Sequence, residues 1–152
     1  MTLFRTIAPV ALLFVGACAH QAPIYPNRDT VGYAYADQHR REIEGRKDAL
    51  LSELATCESG GDGDSPTPIV GGRGAYIGRF QFAPRTVINY VRDMDGRVLS
   101  YQEAVSLAHD YGQASRLAKY VIFERDGIAA WPACARKLGL FQRVADIKAA
   151  SS

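Results

Sequence analysis

The longest regular pattern of apolar and polar positions lies between Asp37 and Thr56. Charged residues dominate this stretch, and its aliphatic residues recur at helical spacing. Four of them fall on one face: Ile43, Leu50, Leu51 and Leu54. The spacing predicts an amphipathic helix over 37–56 that Asp37 caps at its start. The preceding segment 31–36 (VGYAYA) alternates weakly, which predicts either a short strand or an irregular tether.

Local start and stop signals predict several shorter helices in the rest of the chain. Pro84 suits the first turn of a helix, Ser100 and Glu103 form a capping-box pattern, and Gly127 suits the position after a helix end. The predicted helices cover 84–92, 100–110, 113–125 and 133–138, and 144–150 either continues the last one or frays. Residues 60–74 contain six Gly and two Pro and predict a loop, with a small β-ribbon around Ile69–Phe82. The predicted fold class is mainly α: several short helices with one small β-ribbon or Gly-rich loop region.

Composition narrows the functional classes without choosing one. The chain has 152 residues, a length typical of one domain, and 18 basic against 16 acidic side chains. This balance gives no basic face of the kind that binds nucleic acid, so no nucleic-acid partner is expected. Metal binding is not expected either, because His20, His39 and His109 lack ligand spacing. No phosphate-binding loop is recognisable, and no cofactor is predicted.

The first residues have the features of a targeting segment. Residues 1–17 carry one charge, Arg5, and then an apolar run too short to span a bilayer. The run ends in Val-Gly-Ala before Cys18, which resembles a bacterial lipobox; the alternative is a plain secretory signal with a chance cysteine. Lipidation of Cys18 would anchor the protein to a membrane. In a bacterium with two membranes, Ala19 after the lipidated cysteine favours the outer membrane facing the periplasm, as in lipoproteins in general. The predicted organisation is a signal peptide (1–17), a tether (18–36) and a folded domain (37–150).

The cysteine count predicts one disulfide. If Cys18 carries lipid, Cys57 and Cys134 remain as an even pair in an oxidising compartment. The alternative is two buried free thiols.

Three short segments contain the candidate chemistry. Glu58 lies where the long helix is expected to end and a Gly pair begins, so desolvation can raise its pKa and make it a general acid. The segment from Tyr76 to Phe82 combines aromatic rings with Gln81, a mixture suited to sugars but also typical of a core hairpin. If this segment is extended, alternation places both Phe residues on one side. Gln81 then lies on the other side and faces the cleft that is expected beside Glu58. Trp131, in the third segment, is either a core residue or a ligand platform.

Taken together, the segments resemble a known family. The blocks Cys-Glu-Ser-Gly-Gly at 57–61, Tyr-x-Gly-x-x-Gln-Phe-x-Pro-x-Thr at 76–86 and Ala-Trp-Pro-x-Cys at 130–134 resemble the resuscitation-promoting factor domain. Its wider relatives are the soluble lytic transglycosylases and the goose-type lysozymes, which share a lysozyme-like α fold. The resemblance covers residues 54–140.

The resemblance implies a role for each matching residue. Glu58 matches the family's catalytic glutamate, Gln81 matches the glutamine of the substrate groove, and Cys57 and Cys134 match a bridged pair. We also expect three further residues to bind substrate: Ser59, Tyr76 and Trp131.

The implied activity is cleavage of the peptidoglycan glycan strand. A lone acid favours a lytic transglycosylase, because the substrate's own acetamide and 6-hydroxyl can replace a second carboxylate. The alternatives are a hydrolytic muramidase, with Asp62 or Asp64 positioning water, and a non-catalytic lipoprotein that binds peptidoglycan.

Overall fold

The long helix α1, Arg28–Ser59, begins nine residues before the predicted start. The computed structural model describes residues 28–151, so the predicted signal peptide, Cys18 and most of the tether lie outside the described residues. Both alternatives for 31–36, a short strand and an irregular tether, are wrong, since these residues are helical. Asp37 is not a cap: it lies inside the helix and pairs with Arg40 at 2.7 Å and with Arg41. Adding a residue to a formed helix costs far less than nucleating one, so a weakly alternating segment can extend it.

Five shorter helices follow α1. They are α2 (Pro84–Asp95), α3 (Tyr101–His109), α4 (Tyr111–Phe123), α5 (Pro132–Lys137) and α6 (Leu140–Ala150). Pro84 occupies the first turn of α2 as predicted, and the capping box of Ser100 and Glu103 is present at the start of α3. Gly139 has a left-handed backbone (φ 63°), so the last residues form a separate helix and do not continue α5. The mainly α fold class is therefore confirmed.

The predicted role of Gly127 at the end of α4 is wrong. The helix ends at Phe123, and the left-handed residue after it is Asp126, with φ 54°. Gly127 instead opens a 3-10 turn that ends at Ala130. A Cβ at position 127 would lie 2.5 Å from Val121 Cγ1, so close packing against α4 requires glycine there.

The β-ribbon lies within the predicted region. Strand β1 (Val70–Gly71) runs antiparallel to β2 (Tyr76–Ile77), with Val70 opposite Ile77. A further antiparallel bridge joins Ile77 to Phe82. The ribbon therefore leads directly from the Gly-rich loop into α2.

The core forms between the apolar face of α1 and the shorter helices. All four aliphatic residues predicted on that face are buried. Ion pairs reinforce α1 at the surface: Lys119 of α4 bridges Glu44 and Asp48, and Arg143 of α6 holds Glu53 by two hydrogen bonds of 2.7 and 2.8 Å. Among residues 28–151, no helix combines the length and the hydropathy that crossing a membrane requires.

Candidate active site

A groove of about 260 Å³ opens where the end of α1, the β-ribbon and the start of α5 meet. Glu58 lies on the α1 side, Tyr76 and Gln81 on the ribbon side, and residues 130–133 form the opposite wall. A larger cavity of about 420 Å³ lies between residues 65–69 and the end of α3, but no carboxylate lines it. The groove is therefore a better candidate for acid–base chemistry than this cavity.

Glu58 is the acidic group of this groove. It is partly buried in the last turn of α1, because the helix extends to Ser59, three residues beyond its predicted end at Thr56. Burial raises the pKa of its carboxyl group above the ordinary value of 4.5, and no other described group shifts it. Its carboxyl group has no hydrogen-bond or ion-pair partner within the described part of the chain. Such a group holds its proton more readily than a solvated glutamate and is free to donate it.

The disulfide predicted from the cysteine count is present. It joins Cys57 to Cys134, with 5.9 Å between the two Cα atoms. Cys57 directly precedes Glu58, and Cys134 directly follows Ala133 of the opposite wall. The bridge therefore holds the two sides of the groove together beside the acid.

Gln81 reaches the groove as predicted, but the predicted reason is wrong. Residues 78–81 form a tight turn closed by mutual backbone hydrogen bonds between Ile77 and Phe82, at 2.9 and 3.0 Å. Within the turn, Gly78 and Gln81 have left-handed backbones, with φ 75° and 50°. A turn and not strand alternation thus buries both phenylalanines and leaves the glutamine half-buried at the groove.

The carboxamide of Gln81 is held in place by its own turn. Its Nε2 donates a hydrogen bond of 2.8 Å to the carbonyl oxygen of Gly78. Its Oε1 lies so close to Gly71 that a Cβ there would be 1.9 Å away. One N–H and the Oε1 lone pairs remain available to a ligand.

The aromatic residues divide between surface and core. Tyr76 is 48% exposed and its ring packs over Gly72 at the ribbon turn. Trp131 is only 4% exposed; its Nε1 donates to the carbonyl oxygen of Phe80 at 2.7 Å, and its ring meets Phe82 edge-on. Trp131 therefore borders the groove mainly as a core residue, and Tyr76 supplies the exposed ring.

Three residues suggested by the sequence do not line the groove. The hydroxyl of Ser59 lies within hydrogen-bonding distance of the carbonyl oxygens of Ala55 and Gly61, and so secures the end of α1. Asp62 accepts a hydrogen bond of 2.6 Å from Ser52, and Asp64 is exposed outside the groove. Within residues 28–151, Glu58 is thus the one carboxylate that lines the groove.

Sequence reasoning missed how the loop after Glu58 is held. The Nε atom of Arg79 donates to the carbonyl oxygen of Gly63 at 3.0 Å, and its guanidinium lies against Gly61. Neighbouring Phe80 stacks on Tyr111 of α4. These contacts join segments distant in sequence, and no local pattern indicates them.

The described residues contain no group of three or more side chains arranged to bind a metal ion. Comparisons with family models, curated proteins and solved structures find no match to this chain. A function for the groove therefore depends on its own residues.

Proposed function

We propose that this protein is a lytic transglycosylase that cleaves the β-1,4 bond between N-acetylmuramic acid and N-acetylglucosamine in peptidoglycan. The observation that supports this most is Glu58: a partly buried, unpartnered acid at the rim of a groove that also presents an amide and an exposed aromatic ring. These are the groups that a single-acid glycosidase needs.

In the first step, Glu58 acts as general acid. The raised pKa keeps a fraction of its carboxyl groups protonated where an ordinary glutamate is ionised. The proton passes to the glycosidic oxygen while the bond from that oxygen to C1 of the muramic residue breaks. The 2-acetamido oxygen of the same sugar stabilises the positive charge that develops at C1.

In the second step, Glu58 acts as general base. Its carboxylate takes the proton from the 6-hydroxyl, and that oxygen forms the new bond to C1. The product is a 1,6-anhydro sugar, and Glu58 is protonated again for the next cycle. No water is consumed and no second carboxylate is needed, which agrees with the lining of the groove.

Gln81 and Tyr76 bind and orient the sugar in this proposal. The free N–H and Oε1 of Gln81 suit a hydroxyl or an acetamide, and its bond to Gly78 holds the amide in place. The exposed ring of Tyr76 offers an apolar surface for a sugar face. We further propose that the enzyme is a lipoprotein of the bacterial envelope, anchored through Cys18.

The test is a digest of purified peptidoglycan analysed by mass spectrometry. Wild type should release products that are lighter by one water than hydrolysis products. Glu58→Gln should lose about 10²- to 10⁴-fold in rate but still bind the glycan, because glutamine keeps the shape and cannot donate the proton. Asp62→Asn and Asp64→Asn are matched controls that should stay active.

Each contrary result selects another function. Products with intact reducing ends, together with inactive Asp62→Asn or Asp64→Asn, would indicate a hydrolytic muramidase. Binding without any cleavage by wild type would indicate a non-catalytic peptidoglycan-binding protein. An active Glu58→Gln variant would refute the assignment of the acid.

A further inference from the structure

Two basic side chains lie in the part of α5 that follows the wall of the groove. Ala133 lines the groove, and Arg136 and Lys137 follow three and four residues later. Residues at these spacings share one face of a helix, and all three are exposed. Helical side chains lean toward the start of their helix, so both cations are directed back toward Ala133 and the groove.

Neither cation has a partner of opposite charge. Within residues 28–151, Arg136 and Lys137 make no ion pair. The neighbouring helix α6 differs, since its Arg143 is held by Glu53 and its Lys148 by Asp126. The cations of α6 join elements of the fold, whereas those of α5 remain available to a ligand.

The same two residues are separate from the acid. Burial alone accounts for the direction in which the pKa of Glu58 moves, and no cation opposes it. Positive charges placed next to Glu58 would stabilise its ionised form and impair it as a proton donor. Arg136 and Lys137 thus add positive charge beside the groove without deactivating the acid.

We infer that Arg136 and Lys137 form a basic flank that binds the free carboxylates of the peptide stems on the glycan strand. The inference rests on the proposed function and deepens it: the substrate class is peptide-bearing glycan. Where a muramic lactyl group is amide-linked to its peptide, the sugars are neutral, and the anionic groups are carried by the peptide. A peptide that leaves the groove along the Ala133 face of α5 would pass the flank.

Binding measurements test this without requiring cleavage. The full chain, purified in detergent with Glu58→Gln to prevent turnover, is titrated by calorimetry with uncrosslinked peptide-bearing strands. The same titration is repeated with strands whose carboxyls are amidated, and with strands stripped of peptides by an amidase. The Glu58→Gln protein should bind the unmodified strands about three- to tenfold more tightly than the amidated or stripped strands, the factor expected of two exposed ion pairs together. The preference should disappear at high salt.

The decisive variant is Arg136→Gln with Lys137→Gln, which should lose that preference. The matched control, Arg46→Gln with Arg92→Gln, removes two exposed cations that make no ion pair and should keep it. A preserved preference in the α5 variant would overturn the inference. The inference would also be overturned if the α5 variant lost as much affinity for stripped strands, which retain only the lactyl carboxylate, as for unmodified strands. If the wild type does not cleave but the preference for free carboxylates is present and is lost in the α5 variant, the proposed function is refuted and the flank remains supported.

Discussion

Replacing Cys57 and Cys134 together by alanine removes the disulfide that joins the helix of Glu58 to the opposite wall of the groove. Alanine is preferable to serine because Cys134 is only 6% exposed, and a hydroxyl there would be buried. Two effects should follow. The folded state should be less stable, and Glu58 should be positioned less firmly relative to the opposite wall of the groove.

The size of the first effect follows from the 77-residue separation of the two cysteines. Restricting a loop of that length in the unfolded chain is worth at most about 4.5 kcal/mol. A folded unit of about 120 residues has an unfolding entropy near 0.25 kcal/mol/K, so the melting temperature should fall by up to about 18 °C. For the second effect, we expect turnover to fall about tenfold at a temperature where the variant is still folded, because positioning of the acid is lost.

Calorimetry with and without reductant, on protein carrying Cys18→Ser to remove the third thiol, measures the first effect. Reduction of the parent should reproduce the melting temperature of the double alanine variant. Thiol titration of the native parent should find no free thiol at positions 57 and 134. Two free thiols would refute the bridge, and an unchanged melting temperature would refute the loop-entropy reasoning.

Three further outcomes are expected. Burial raises the pKa of Glu58, so ionisation of its carboxyl group destabilises the folded state. The stability of the protein with Glu58 protonated is complete below about pH 4.5 and is lost as pH rises through the folded pKa. Glu58→Gln should therefore raise the melting temperature at neutral pH and not at pH 4. Gln81→Ala should lower turnover roughly tenfold to a few hundredfold, as one lost sugar hydrogen bond predicts, and should cost only about 1 kcal/mol of stability in a urea titration, from its bond to Gly78. Gly78→Ala would place a Cβ 1.7 Å from the carbonyl oxygen of Ala108 and should cost about 3 kcal/mol or more. Gly74→Ala, also left-handed but in open space, should cost only about 1–2 kcal/mol, and equal losses in both variants would show that backbone strain alone matters.

Most of the features that were predicted correctly from the sequence depend on neighbours within about four residues. Pro84 and the capping box of Ser100 mark helix starts because their effects act within the first turn. The apolar face of α1 was predictable from its spacing, and the disulfide from the parity of the cysteines. Glu58 was recognisable as a candidate general acid because a carboxylate at a helix end before a Gly pair faces a loop on one side and the core on the other.

The sequence did not reveal how the side chains at and beside the groove are held, because that depends on the folded backbone. Gln81 faces the groove because a four-residue turn closes between Ile77 and Phe82, not because a strand alternates there. Trp131 turns into the core because its indole N–H finds the carbonyl oxygen of a residue 51 positions away. Asp62 lies outside the groove, where it accepts a hydrogen bond from the hydroxyl of Ser52. In each case a polar group takes the best partner that the folded chain brings within reach. For Trp131 that partner is set by packing between distant segments, which no local pattern records. For Gln81 and Asp62 the partners are closer in the chain, but the sequence pattern alone does not distinguish them from the competing arrangements.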